Sequence, residues 1–198
     1  MHFVILRRAT LPVAFALACL AGTALAQEGV FLSEEDAPRA VFADADGFTR
    51  QVLTVSPELR DQIRAALGTT QPSVWEDQYV VFTARRDNAV IGHAIIVEEV
   101  GKHRPITFVV SVGADDSVGD VAVMAYREAY GGEVQSRRFL KQYHGKRASN
   151  DLRSYGEIQN IAGATLSVDA ASRAVKKALA VARVAFGSDG ALAAQAAP

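Results

Sequence analysis

The sequence predicts an α+β domain in which helices pack on an antiparallel β-sheet, and two patterns support this prediction. Four runs rich in Val, Ile, Phe and Tyr follow one another between residues 79 and 126, separated by short segments of turn-forming residues. Near the C-terminus, apolar residues recur at helical spacing and predict one long helix. The apolar content, 49% of 198 residues, is ordinary for a chain long enough to bury a hydrophobic core.

The first 26 residues have the features of a secretory signal peptide. Arg7 and Arg8 form a basic start, Leu11–Ala21 is apolar, and Ala24-Leu25-Ala26 is a small-residue cleavage site. A transmembrane anchor is the alternative, but the apolar run is short and interrupted by a proline and a glycine. We therefore expect export to the periplasm, with cleavage after Ala26.

Cysteine content and charge exclude several classes of function for the mature chain. Cys19 is the only cysteine and lies within the signal, so a chain cleaved after Ala26 has no disulfide, thiolate metal site or thiol nucleophile. Removing Arg7 and Arg8 from the 21 Lys and Arg residues leaves 19 against 22 acidic residues, a net charge of −3. We expect no nucleic-acid partner, because nucleic acids select a basic surface.

Residues 27–78 are predicted to be an N-terminal lead-in with one helix. The acidic stretch that opens it has no sustained period and is expected to hold at most a short helix. Ser56 is a typical N-cap with a proline after it, apolar residues recur at helical spacing from Leu59 to Leu67, and Gly68 ends the run.

Residues 79–187 are predicted to form the main domain, which begins with four antiparallel strands. Turn residues at Asp87-Asn88 and Gly113–Ser117 favour pairing between neighbouring strands. A short helix, Gln135–Tyr143, is expected after the sheet. The four strands are predicted over Tyr79–Arg86, Val90–Val100, Ile106–Val112 and Val118–Tyr126.

The C-terminal helix is predicted to begin at Ser167, which would be its N-cap, with Asp169 in the first turn, where the helix dipole favours a carboxylate. Gly187 ends the helix, and residues 188–198 are expected to form a flexible tail. The apolar stripe is Val168, Ala171, Val175, Ala178, Leu179, Ala182 and Phe186, and the cationic residues Arg173, Lys176, Lys177 and Arg183 lie mostly off it.

The segment before this helix, IAGATLS, has the composition of an anion site. Gly163 and Ala164 have almost no side chain, so a bulky group can approach the backbone there. Unpaired N–H groups and the positive end of the helix dipole favour a phosphate at a helix start. The Thr165 hydroxyl could bond to that phosphate or be esterified by it, and Ser167 could cap the helix or donate to a phosphate oxygen. A plain turn before an N-cap is the alternative interpretation.

IAGATLS resembles the Ser/Thr-Gly-Ala-Thr flavinylation motif of the FMN-binding domain family. That family includes the C subunit of sodium-pumping NADH:quinone reductase, the G subunit of the Rnf complex and the nitrous-oxide-reductase regulator. Two positions differ from the family pattern: Ala162 replaces the usual Ser or Thr, and Gln159 replaces the usual Asp. Three upstream segments are also similar in content, order and spacing: GKHRPITF (101–108), YREAYGGEV (126–134) and RRFLKQYHGK (137–146).

This resemblance implies that FMN is joined through its phosphate to Thr165, giving phosphothreonyl-FMN. In the family a separate flavin transferase makes the bond, using FAD and magnesium. The YREAYGGEV segment matches a loop that approaches the flavin, although a turn whose glycines serve only the backbone is the alternative. The predicted cofactor-binding residues are Glu128, Gly131, Gly132, Gly163, Ala164, Thr165 and Ser167.

Two functions follow from the resemblance. The first is an electron-transfer relay in a membrane-associated redox chain, with a membrane-bound or periplasmic redox partner and a flavin transferase for maturation. The second is a flavin-free interaction or ligand-sensing module that retains the fold. The changes at Ala162 and Gln159 favour the second function, whereas the intact Gly-Ala-Thr and the matching upstream segments favour the first.

Overall fold

The structure is a computed structural model that describes residues 29–187. A six-stranded antiparallel sheet forms its centre. The strand order is β1-β6-β5-β4-β3-β2, so β2 to β6 form a meander and β1 is added beside β6. The strands are β1 (Gly29–Val30), β2 (Gly47–Thr54), β3 (Gln78–Arg86), β4 (Ala89–Val100), β5 (Pro105–Gly113) and β6 (Val118–Tyr126).

Helices cover both faces of this sheet. On one face the longest helix lies against β4 and β5 and packs on the second helix, and on the other face the first helix lies against β5 and β6. The helices are α1 (Ala37–Val41), α2 (Pro57–Leu67), α3 (Arg137–Leu140) and α4 (Thr165–Phe186), and the two 3-10 turns are Gly132–Gln135 and Lys141–Tyr143. The predicted α+β class is thus confirmed.

The four predicted strands are confirmed to within one residue at each end, whereas β1 and β2 were not predicted. Strand β2 pairs only with β3, at the edge of the sheet, and half of its residues are exposed. Its apolar pattern is weak because an edge strand faces solvent on more than one side. The segment between residues 29 and 78 therefore contributes two strands to the sheet and one helix to the hydrophobic core on each of its faces.

Helix α2 forms as the sequence predicts. The Ser56 side chain accepts a hydrogen bond of 3.2 Å from the Leu59 N–H, which caps the first turn. Leu59, Ile63 and Leu67 are buried against the sheet and α4, and Gly68 follows the last helical residue. The predicted helix over 135–143 is shorter than expected, because a 3-10 turn replaces its second half.

Helix α4 differs from the prediction because Lys177, assigned to its polar side, is fully buried. The Lys177 Nζ atom donates to the carbonyl oxygens of Val74 (2.9 Å) and Glu98 (2.6 Å) and to the Glu76 carboxylate (2.9 Å). It also lies 3.0 Å from the buried Glu99 carboxylate. The chain segment before β3 covers this side of the helix, which a period of 3.6 within α4 cannot reveal.

This buried cluster fixes α4 to the sheet. Glu99 also accepts hydrogen bonds from the Ser73 N–H (2.8 Å) and from Arg173 Nε (3.0 Å), so its charge is shared between two cations. Removing one member of a buried ion pair typically costs several kcal/mol, because the remaining charge has lost its partner. The middle of α4 is therefore held to β4 and to the segment before β3 through Arg173 and Lys177.

Two hydrophobic cores lie on opposite faces of the sheet. The larger one joins α2 and α4 to the sheet, and its biggest fully buried side chains include Tyr79, Phe108 and Tyr143. The smaller one packs α1 on the other face, around Phe82 and Met124. Of the helices between residues 29 and 187, none is long and apolar enough to cross a membrane. The predicted signal peptide and C-terminal tail lie outside the described residues.

Candidate functional site

Thr165 is the first residue of α4, and no side chain caps that helix start. The N-cap residue is Ala164, and the Val168 N–H, bonded to the Ala164 carbonyl at 3.0 Å, makes the first helical hydrogen bond. The N–H groups of residues 165–167 precede that bond and stand at the positive end of a 22-residue helix. The half-buried Thr165 hydroxyl thus lies where a phosphate is favoured.

The prediction that Ser167 caps this helix is wrong. Ser167 is the third helical residue and is buried, and its hydroxyl lies 2.9 Å from the Tyr126 hydroxyl. The prediction for Asp169 is also wrong, because Asp169 is the fifth residue and the first turn holds no acid. The helix begins earlier than expected because a turn closed by the Ala164 N–H on the Ile161 carbonyl (2.9 Å) leads directly into it.

Gly163 has a backbone conformation that requires glycine. Its φ is +82°, in the left-handed region, and a Cβ placed there would meet no atom within 4 Å. Ala162 and Gly163 are both exposed. The space in front of this turn is therefore open to an approaching group, and the glycine also serves the turn itself.

The predicted glycine loop after β6 packs against the start of α4. Gly131 has φ +86°, and a Cβ on it would lie 2.8 Å from Ser167 Oγ and 2.9 Å from the Tyr126 hydroxyl. The Tyr126 hydroxyl in turn donates to the Tyr130 carbonyl at 2.5 Å. Gly132 begins the 3-10 turn that follows. The structure thus brings the loop and the Thr165 motif together, as a shared site requires.

Glu128 lies in the same loop, but its carboxylate is engaged with the turn between β4 and β5. It accepts hydrogen bonds from the backbone N–H groups of His103 and Arg104, the second at 2.9 Å. Partial burial raises the pKa of Glu128, but the backbone hydrogen bonds together lower it by more, so the pKa lies below its ordinary value. Glu128 therefore stays ionised and fixes the loop, and its contact with a cofactor remains a prediction.

Two residues that no sequence pattern predicted lie at this site: Asn160 contacts the Thr165 hydroxyl directly, and Tyr155 contacts Asn160. Asn160 Nδ2 donates to Thr165 Oγ1 at 2.8 Å and to the Tyr155 hydroxyl at 2.7 Å. Neither residue belongs to a recognisable motif, so no signal in the sequence marks them. Their contact depends on the loop between α3 and α4, which folds back on the start of α4.

Three large apolar side chains are exposed around this site. Tyr130 is 83% exposed, Tyr155 80% and Leu166 49%. Tyr155 is connected to Thr165 by hydrogen bonds through the Asn160 side chain, and Leu166 follows Thr165 in the chain. These exposed side chains are available for contact with a ligand or a partner.

A polar cleft of about 760 Å³ opens along α4 one turn after Thr165, and its lining includes neither Thr165 nor any other predicted cofactor-binding residue. Asp169, Arg173 and Lys176 line it from α4, and these positions follow Thr165 by four, eight and eleven residues, which places all of them on one helix face. The loop residues Asn150–Ser154 form the opposite wall. The volume is within the range of pockets that hold small organic ligands.

Within residues 29–187, no group of three or more His, Cys, Asp or Glu side chains is placed to hold a metal ion.

Comparison with known proteins identifies the domain that carries the site. Residues 101–180 match the family model described as FMN-binding domain, which confirms the resemblance of the motif and its upstream segments. The match includes every predicted cofactor-binding residue. No curated protein shows a significant match to the chain.

Proposed function

Because residues 101–180 match the model of the FMN-binding domain family, we propose that this protein is an exported flavoprotein that relays electrons through FMN attached by its phosphate to Thr165. The observation that carries the proposal is the position of the Thr165 hydroxyl, at the uncapped start of a long helix with exposed small residues before it.

The residues around Thr165 fit a phosphate ester. A phosphodiester keeps one negative charge, which the N–H groups and dipole of α4 stabilise. Ala164 brings no side-chain oxygen that would compete for these N–H groups, and the open space at Gly163 leaves room for the phosphate and the chain that joins it to the ring.

The exposed aromatic residues support the binding of a flavin ring near this phosphate site. Tyr130 and Tyr155 present exposed faces that an isoalloxazine can contact. When bound, FMN supplies one- and two-electron chemistry, and the protein orients the ring and limits its contact with water. A single exposed flavin suits transfer between two partners.

Export and maturation complete the proposal. The signal features predict a mature N-terminus at Gln27 in the periplasm, where a flavin transferase would load the protein and a membrane-bound or periplasmic redox partner would exchange electrons with it. Intact-mass measurement of the protein from its native compartment tests the cleavage. A retained N-terminal segment or an acylated Cys19 would contradict it.

The flavin proposal is tested by coexpressing the full chain with a flavin transferase and recording the visible spectrum before and after denaturation. We expect a flavin spectrum that stays with the unfolded protein. A flavin that separates on denaturation would support binding without the covalent bond. A colourless wild-type protein would instead favour the flavin-free module, for which the exposed Ala162, lacking the usual hydroxyl, is the supporting observation.

A further inference from the structure

The amide of Asn160 has a hydrogen-bond arrangement that points to a role at the acceptor hydroxyl. Both Nδ2 hydrogens are used, one by Thr165 Oγ1 and one by the Tyr155 hydroxyl. Asn160 Oδ1 is buried and has no hydrogen-bond partner within residues 29–187. The opposite amide orientation would leave two buried N–H hydrogens without acceptors instead of one oxygen, so the hydrogen-bond count favours Asn160 as the donor.

Tyr155, which holds the second amide hydrogen, is itself in a strained conformation. Its φ is +66°, a left-handed value that is an outlier for a bulky residue. The Tyr155 N–H bonds to the Ile158 carbonyl at 3.2 Å, and the Gly156 N–H bonds to the Arg153 carbonyl at 2.9 Å, which together close the loop. Local strain of this kind typically persists where the surrounding structure needs a side chain in one place.

We propose that Asn160 is a positioning residue for the attachment of FMN to Thr165, and that Tyr155 holds the Asn160 amide in the orientation this requires. The inference rests on the proposed function. At the position where the motif differs, the Gln159 backbone N–H bonds to the Gln142 side chain, whereas the Asn160 side chain, one residue later, contacts the Thr165 hydroxyl.

The direction of the hydrogen bond suits both the free and the esterified threonine. In the transfer step Thr165 Oγ1 bonds to the flavin phosphorus of FAD, the bond from that phosphorus to AMP breaks, and the Oγ1 proton leaves to a base of the transferase. Because Asn160 donates to Oγ1, its hydrogen bond does not use the proton that is lost. The same hydrogen bond stabilises the negative charge that develops on Oγ1 during the transfer, and the bridging ester oxygen can still accept it after the ester has formed.

The test compares the rate of flavin transfer to wild type, Asn160→Leu and Tyr155→Phe by the purified transferase with FAD and magnesium. Asn160→Leu removes Nδ2, which donates to Thr165, and also Oδ1, which is buried without a hydrogen-bond partner, so the fold should persist. We expect transfer at saturating acceptor protein to be about tenfold slower with Asn160→Leu and about threefold slower with Tyr155→Phe, as expected for lost positioning hydrogen bonds. The acceptor concentration for half-maximal rate should be unchanged, because the exposed motif that the enzyme meets is intact.

Gln142→Leu is the matched control, because it removes a side chain that anchors the same loop through the Gln159 backbone (2.8 Å) without contacting Thr165. We expect transfer to this variant at the wild-type rate. A second readout needs no flavin: in NMR spectra of the apo protein the Asn160 amide protons should exchange with solvent much more slowly than those of the exposed Asn88, and Thr165→Val should shift the Asn160 signals.

Wild-type transfer rates in Asn160→Leu, or equal slowing in Gln142→Leu, would overturn the positioning role while leaving the proposed function in place. Asn160 amide protons that exchange as fast as those of Asn88 would also overturn it. A wild-type protein that accepts no flavin from a competent transferase would overturn the proposed function, and the inference with it.

Discussion

The first turns of α2 and α4 solve the same physical problem in different ways. Helix α2 begins after Ser56, whose side chain accepts from the Leu59 N–H, so part of the first turn is satisfied within the protein. Helix α4 begins after Ala164, which has no side chain able to do this, and the Thr165 hydroxyl accepts from Asn160 instead. Both helices pack in the same core, so the difference lies at their exposed ends.

This difference separates a structural helix start from one suited to a ligand. A serine N-cap contributes about 1 kcal/mol by satisfying a backbone donor. A helix that omits it leaves those donors to water or to an anion, and α4 also has a hydroxyl and exposed small residues at the same place. We infer that the uncapped start of α4 is maintained for the phosphate.

The largest expected effect is the complete loss of covalent flavin in Thr165→Val. Valine keeps the size and β-branching of threonine but has no oxygen to esterify, so the fold should persist while in-gel flavin fluorescence of the denatured protein disappears. Ser56→Ala, which changes the other helix start, should retain full fluorescence. Equal fluorescence in Thr165→Val and wild type would show that the two helix starts do not differ in this function.

Gly131→Ala should lower the free energy of unfolding by about 3 kcal/mol, since it combines a positive φ with overpacking against the α4 start. Its Cβ would lie 2.8 Å from Ser167 Oγ. Gly145→Ala is the matched control, because Gly145 has φ +72° but open space around it, and it should cost only about 1 kcal/mol. Urea titration measures both values. If both substitutions cost the same, the loop does not press on α4.

The opposite end of α4 offers a contrast that depends on pH. His93 stacks on Phe186 with a ring-centre distance of 3.9 Å, and burial lowers the pKa of His93 to about 4. In the unfolded chain the pKa of His93 is near 6.5, so as the pH falls the unfolded chain binds a proton before the folded protein does. The contribution of neutral His93 to stability is therefore complete above pH 6.5 and is lost as the pH falls below it. From pH 6.5 to 5 the free energy of unfolding should fall by roughly 2 kcal/mol through this residue.

His93→Gln is the control, because it removes the titration and leaves the other groups in place. Chemical denaturation of wild type and His93→Gln at pH 7 and pH 5 isolates the contribution of His93. Parallel losses in the two proteins would mean that His93 is not a neutral, buried residue in the folded state.

The smallest effects concern the two serines. Ser56→Ala and Ser167→Ala should each lower the free energy of unfolding by about 1 kcal/mol, the first through a lost cap and the second through a lost hydrogen bond to Tyr126. Neither should change flavin loading by more than about twofold, because neither hydroxyl is the acceptor. A large loss of flavin loading in Ser167→Ala would indicate that the Ser167 hydroxyl contacts the phosphate, contrary to this account.

The fold could be predicted where a pattern is local to one element. The four central strands and α2 have such patterns, in runs rich in Val, Ile, Phe and Tyr and in the Ser56 cap. The burial of Lys177 could not be predicted, because the chain segment that covers it lies about a hundred residues earlier in the sequence. The same holds for Asn160, whose contact with Thr165 depends on how a loop closes. The sequence therefore predicted a site at Thr165 and its small neighbours, and the structure added Asn160, which contacts the Thr165 hydroxyl.

Peptide mass spectrometry of the wild-type protein, loaded by a flavin transferase and digested, tests the central claim most directly. We predict that the peptide containing Thr165 carries the added mass of FMN joined through one phosphate bond, and that fragmentation places that mass on Thr165. An FMN mass on any other residue, or an unmodified Thr165 peptide from protein exposed to an active transferase, would contradict the account.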